Sequence, residues 1–197
     1  MLVNRVLAAN GMSSATSPGP RSSAETKARI ILVAQEVFSS KGYSHAGLRE
    51  IAALAQVAPS LVIKYFGTKA QLFEKALAAA ILPIRNFQRD RARIGEAIAA
   101  SILTPQTRVM APAMMALALG DAESRQIVER VVKEEIIDPM ADWLDAPHSQ
   151  ARAMNLLAMT TGFAIFHGNM SGLLGPEDLE QSARLFAQSL QDLVDRD

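Results

Sequence analysis

Residues 28–77 read ARIILVAQEVFSSKGYSHAGLREIAALAQVAPSLVIKYFGTKAQLFEKAL. Apolar spacing and chain breakers divide this stretch into four short helices. Ile30, Ala34, Val37 and Phe38 recur at i, i+4, i+7 and i+8, one face of a helix that Lys41-Gly42 ends. Ahead of it, Ser22-x-x-Glu25 has the capping-box pattern and is expected to start the helix. Leu48, Ile51, Ala52 and Ala55 make a second stripe. Gln56-Val57-Ala58 breaks it, and Pro59 suits the first turn of a third helix that Gly67 stops. Thr68-x-x-Gln71 caps a fourth, with Leu72, Phe73, Ala76, Leu77, Ala80 and Ile81 inward and Pro83 beyond. Two helices joined by a three-residue turn, inside such a cluster, form a helix-turn-helix unit.

Outward from this unit the punctuation stays helical. Breaks at Thr104-Pro105, Gly120-Asp121, Ala146-Pro147 and Ser171–Pro176 predict helices near 84–102, 105–119, 122–145, 149–169 and 177–195. In the last, Leu179, Ala183, Phe186, Leu190 and Leu193 alternate spacings of four and three, a seam suited to shallow-angle packing against another helix. Residues 1–21 end in Ser, Pro and Gly and are expected to form a flexible tail, with Met12 as an alternative start. The expected organisation is thus a tail (1–21), a front helix-turn-helix domain (22–82) and a helical rear domain (83–197).

Composition supports an all-α fold. Of 197 residues 49% are hydrophobic and only 5% aromatic, and β-branched runs are scarce. With no cysteine, disulfides, thiolate metal sites and thiol catalysis are excluded. The zero net charge hides an asymmetry: residues 1–82 carry nine Lys/Arg against four Asp/Glu, leaving eleven against sixteen behind. A basic front suits a polyanion. The longest apolar stretch, Ala76–Ile84, is far short of a membrane span. Arg5 interrupts the apolar opening before an export signal forms, so a cytoplasmic location is expected.

As an ensemble, the landmarks of this stretch resemble the DNA-binding domain of the tetracycline-repressor (TetR) family. They are Ala34, Phe38, Gly42 and Tyr43, then Arg49 to Ala52, Val57, Tyr65-Phe66 and Gly67 to Lys69. The resemblance implies a homodimeric transcriptional regulator that binds a palindromic double-stranded operator, with an effector-binding rear domain. The chain departs from the family where most members carry hydroxyl residues (here Ala46 and Gly47), a turn glycine (Gln56) and a backbone-contacting tyrosine (Ile63). Those departures motivate an alternative, a helical small-molecule-binding protein whose hold on DNA is weakened or lost.

On the first reading the third helix lies in the major groove, with Val62, Tyr65 and Phe66 facing the core. Pro59, Ser60, Leu61, Ile63 and Lys64 then face the DNA, Leu61 and Ile63 against thymine methyl groups. If they instead complete the small core, they drop out of the interface. Lys69 and Thr68, at the start of helix four, and Gly47, Leu48 and Arg49, at the start of helix two, are the expected phosphate contacts. A cation on a helix N-terminus is unfavourable unless an anion joins it.

In the rear, seven of nine methionines follow residue 100. Met110, Met114, Met115, Trp143, Phe163, Phe166 and His167 are effector-pocket candidates for an apolar or mixed small molecule, against the plainer reading as core. The seam of Leu179, Ala183, Phe186, Leu190 and Leu193, with the helix near 149–169, is expected to pair two subunits. His45, His148 and His167 lack metal-ligand spacing, and no nucleophile elbow or phosphate loop occurs, so neither metal, cofactor nor catalysis is expected.

Overall fold

The computed structural model describes residues 20–81, 90–104 and 110–196. Among them the chain forms ten α-helices: α1 (Pro20–His45), α2 (Leu48–Leu54), α3 (Pro59–Phe66), α4 (Lys69–Ile81), α5 (Ile94–Leu103), α6 (Met110–Ala118), α7 (Ala122–Val132), α8 (Asp138–Leu144), α9 (Ser149–Asn169) and α10 (Pro176–Asp195). The all-helical expectation holds, and the quoted stretch divides as its breakers dictate. Helical dihedrals in α1 break at Gly42 (φ 75°), where Lys41-Gly42 was expected to end the helix, before one last turn. Ser22 is not the cap, because α1 already runs from Pro20, within the expected tail.

Thr68 and Gln71 close a reciprocal capping box on α4. The Thr68 amide donates to Gln71 Oε1 at 2.9 Å, and the Gln71 amide donates to Thr68 Oγ1 at 3.2 Å. Gly67, at φ 75°, makes room for it: a Cβ there would sit 2.0 Å from Gln71 Oε1. Between α2 and α3, Gln56 occupies the left-handed region at φ 54° and is exposed. A β-carbon in that conformation is strained. Gln56→Gly is therefore expected to raise stability by about 0.5–1 kcal/mol, net of glycine's larger unfolded-state entropy. Thermal melting checks this; an unchanged or lower midpoint would mean that the turn tolerates its β-carbon.

The front core contains the predicted stripe, with Ile30, Ala34 and Phe38 fully buried against Ile51, Ala52, Val62, Leu72, Phe73 and Leu77. Phe73 meets Phe38 edge-on at 5.0 Å and Tyr43 at 5.2 Å. Two polar side chains on α1 fasten the neighbouring helices: Gln35 Nε2 donates to the Ala76 carbonyl and Arg29 Nε to the Ala55 carbonyl, each at 2.9 Å. The buried apolar cluster continues through α4 and α6 into the rear helices.

Three rear expectations change. The helix expected over 84–102 is interrupted: Asp90 is extended and Arg91–Arg93 form a 3-10 turn before α5. Its first residues, the expected boundary at 82–83, and the start of the 105–119 helix lie outside the described residues. The helix expected over 122–145 is continuous but widens into a π-turn at Lys133–Ile137. Pro139 lacks an amide proton and crowds the carbonyl four residues back, and the wider turn accommodates it. That turn brings Lys133 Nζ to 2.7 Å from Asp138 Oδ1, five residues on.

The third change is the seam on α10. Ala183, Phe186 and Leu190 are buried within this single chain, Leu190 completely. They pack against α5 and α9, and Phe186 stacks on Phe163 at 4.0 Å with rings 2° apart. They are therefore not available to pair subunits. Leu179 and Leu193 are half-buried. Heptad spacing identified a packing seam but not whose helix fills it. The apolar side chains left exposed on α9 and α10 are instead Met154, Phe166 and Leu185, at 56%, 57% and 55% exposure.

Candidate nucleic-acid interface

The exposed face of α3 follows from its inward one. Val62 and Phe66 are buried one turn apart, so Pro59, Ser60, Ile63 and Lys64 emerge opposite and are all exposed. Ile63 is 55% exposed, which removes the reading that places it in the core. Leu61 is half-buried, as is Tyr65, whose ring lies under the Lys27 ammonium at 5.1 Å. Arg49 is exposed at the start of α2. Leu48 is half-buried and packs on the core, which leaves its backbone rather than its side chain for contact.

Gly47 is the N-cap residue of α2 and offers no side-chain bond, the gap that a hydroxyl residue would fill. A β-carbon there would meet nothing within 4 Å. Thr68 uses its hydroxyl oxygen as an acceptor in the capping box, and its own proton remains free to donate.

Lys69 has a structural partner that the sequence did not indicate. Its Nζ donates to the Tyr43 carbonyl at 2.9 Å and the Ala46 carbonyl at 3.4 Å, and lies 4.2 Å from the centre of the Tyr43 ring. The ammonium thus ties the end of α1 to the start of α4. Two of its three protons are engaged by carbonyls, and the face of the Tyr43 ring takes a further side of the ammonium.

The Tyr43 hydroxyl in turn donates to Glu123 Oε2 on α7 at 2.5 Å. Burial, reinforced by that carboxylate, raises the phenol well above its usual range. Ser44 Oγ donates to Asp121 Oδ2 at 3.3 Å. Two turns along α7, Arg130 forms a two-pronged bond to Glu74 of α4, at 2.8 and 3.1 Å. The Arg130 guanidinium holds the Glu74 carboxyl below its ordinary value, and the Ser124 amide does the same for Asp121. These front-to-rear ties join residues 77 to 80 apart or, for Arg130 and Glu74, 56 apart. No local pattern could reveal them.

Of the rear candidates, Met114 and Met115 belong to the apolar cluster, and Trp143 and Phe163 pack against it. Met114 and Met115 are buried core, and Met110 is half-buried. Phe163 lies between Phe186 and His167, the latter at 5.3 Å. Trp143 carries the Arg91 guanidinium over its ring at 5.2 Å, and Phe166 is exposed. Clefts bounded by described residues include two away from these side chains. One, of about 410 Å³, lies against Tyr65, Gln71 and Lys75, and the other, of about 310 Å³, lies between Arg93 and Arg184. None of the seven candidates lines either cleft.

A helix-turn-helix front mounted on a longer helical rear defines a two-part helical protein. The model of bacterial regulatory proteins of the tetR family matches residues 30–76, and that of the tetracyclin repressor-like C-terminal domain matches residues 92–194. The chain belongs to the TetR family of transcriptional regulators. A transcriptional regulator from Rhodococcus sp. Rha1 shares 22% identity over 83% of this chain and 95% of its own, with a TM-score of 0.62. NalD, the secondary repressor of the MexAB-OprM multidrug efflux pump in Pseudomonas aeruginosa, shares 20% over 86% and 97%, with a TM-score of 0.61. Salmonella enterica GusR shares 18% over 86% and 93%, with a TM-score of 0.58. No curated protein matches the chain. Among the described residues no helix is long and apolar enough to cross a membrane.

Proposed function

We propose that this regulator is a repressor that binds a palindromic operator as a homodimer and is released by an effector held in its rear domain, residues 83–197. The observation that carries this reading is the outward face of α3, uncovered among the described residues, with Lys64 on it and Arg49 exposed nearby. One short helix offers few base contacts, and two linked half-sites multiply affinity, so a two-fold pair is the economical solution. Met154, Phe166 and Leu185, the exposed apolar residues of α9 and α10, replace the buried seam as the pairing face. An apolar or mixed effector that prefers one rear conformation would shift the spacing of the two α3 helices through the ties between α7, α1 and α4.

The direct test is a mobility shift with the duplex upstream of its own reading frame, repeated over a salt series. Binding that weakens steeply with salt is expected. No binding even at low salt would favour the alternative of a ligand-binding protein without a DNA function. Lys69→Met separates the two roles of that side chain. Loss of its carbonyl bonds and ring contact should lower stability by about 1–2 kcal/mol. Loss of a phosphate contact should also lower the salt slope by about one per subunit. A lower melting point with an unchanged slope would leave Lys69 as a purely internal tie.

A further inference from the structure

The exposed residues of α3 are unusual in what they lack. Pro59, Ser60, Ile63 and Lys64 include no Asn or Gln to grip adenine, no Asp or Glu to accept from cytosine, and no Arg to fork onto guanine. Ser60 donates or accepts and so tolerates several bases. Lys64 is donor-only and suits guanine or phosphate. Ile63, one turn after Ser60 and 55% exposed, has nothing polar to offer. The basic front around it matches the charge of a duplex rather than an apolar protein partner.

From this we infer that Ile63 reads the 5-methyl group of a pyrimidine in the major groove and does not distinguish thymine from 5-methylcytosine. The inference rests on the DNA-binding reading above and extends it to a class of modified operator. Thymine and cytosine differ in the groove at two points: the exocyclic group at carbon 4, acceptor or donor, and the methyl at carbon 5. A branched hydrocarbon senses only the second. No side chain on the exposed face is adenine- or cytosine-specific, so the discrimination made by Ile63 itself falls on the methyl group. A cytosine methylated at carbon 5 then presents the same surface to Ile63 as a thymine. Operator affinity should therefore respond to cytosine methylation at that position.

The experiment starts from duplexes enriched out of a random-sequence library by the full-length protein. Each half-site pyrimidine is then resynthesised as thymine, uracil, 5-methylcytosine or cytosine, with its proper partner base. At the position under Ile63, thymine and 5-methylcytosine should bind alike. Both should exceed uracil and cytosine by about fourfold per half-site and about fifteenfold when both half-sites are changed. Ile63→Ala should erase that difference without lowering the melting point, since the side chain is exposed. Uracil binding as well as thymine at every position would overturn the inference, as would 5-methylcytosine behaving like cytosine, or a methyl effect that survives in Ile63→Ala. If no sequence is enriched at all, the DNA-binding reading itself fails and takes this one with it. Enrichment without a methyl effect removes only the methyl reading.

Discussion

Phe186→Glu is expected to unfold the rear helices rather than divide a dimer. The ring is 8% exposed and stacks flat on Phe163, deep between α9, α10 and α5. Removing a buried phenyl ring costs about 3–5 kcal/mol, and a carboxyl in its place must stay neutral or lose its hydration. Against a total stability of about 5–15 kcal/mol, that is enough to melt many domains at ambient temperature. Circular dichroism should show a large loss of cooperative melting. Its neighbour offers the contrast: Leu185 is 55% exposed, so Leu185→Glu should leave melting nearly unchanged while sedimentation shows monomers. A well-folded monomer from Phe186→Glu would mean that the ring sits between subunits after all.

Gly95→Ala carries the second large effect, and its sign runs against helix propensity. Gly95 lies in α5, where alanine normally gains about 1 kcal/mol over glycine. Here α10 crosses so closely that a β-carbon would stand 2.0 Å from the Ala187 carbonyl oxygen and 3.1 Å from the Gln191 nitrogen. Both obstacles are backbone, so no rotamer change relieves them. Separating the helices would also loosen the bonds made by the Gln191 side chain, which accepts from the Gly95 amide and donates to the Arg91 carbonyl. A net loss of about 2 kcal/mol is expected, read as a lower denaturation midpoint at unchanged slope. A stabilised variant would show that α5 and α10 separate freely.

The front of the molecule was legible because its signals are local. Gly42, Pro59, Gly67 and the Thr68–Gln71 pair each act within four residues, and each stands where its chemistry requires. The outward side of α3 followed from the inward positions of Val62 and Phe66. Legibility failed where the deciding contact lies far along the chain. Lys69 reads as a free cation until the fold brings it to the carbonyl of Tyr43, 26 residues away. The α10 seam has the spacing of an interface, yet it is filled by α9 and by α5, the latter about ninety residues earlier, so periodicity could not distinguish partner from self. The effector candidates pose the same difficulty: methionine and aromatic residues at helical spacing look alike whether they line a cavity or fill a core.

The contrast between two sets of polar contacts has a consequence for behaviour in acid. Arg152 donates to the Leu193 and Val194 carbonyls, and Arg91 to those of Trp143 and Leu144. Both partners in these bonds keep their charge state as protons accumulate. The ties between front and rear depend on carboxylates. Glu74, bonded to Arg130, sits below its ordinary value of 4.5, so its contribution to the tie is complete above that value and is surrendered as pH falls through the lower, folded one. Acidification should therefore uncouple the halves before it dissolves the rear bundle. Hydrogen exchange along a descending pH series would show it, with amides of α4 and α7 losing protection while those of α10 stay closed. Simultaneous loss everywhere would mean that the apolar contact between α1 and α6, not the ion pairs, governs how the reader is held to its regulator.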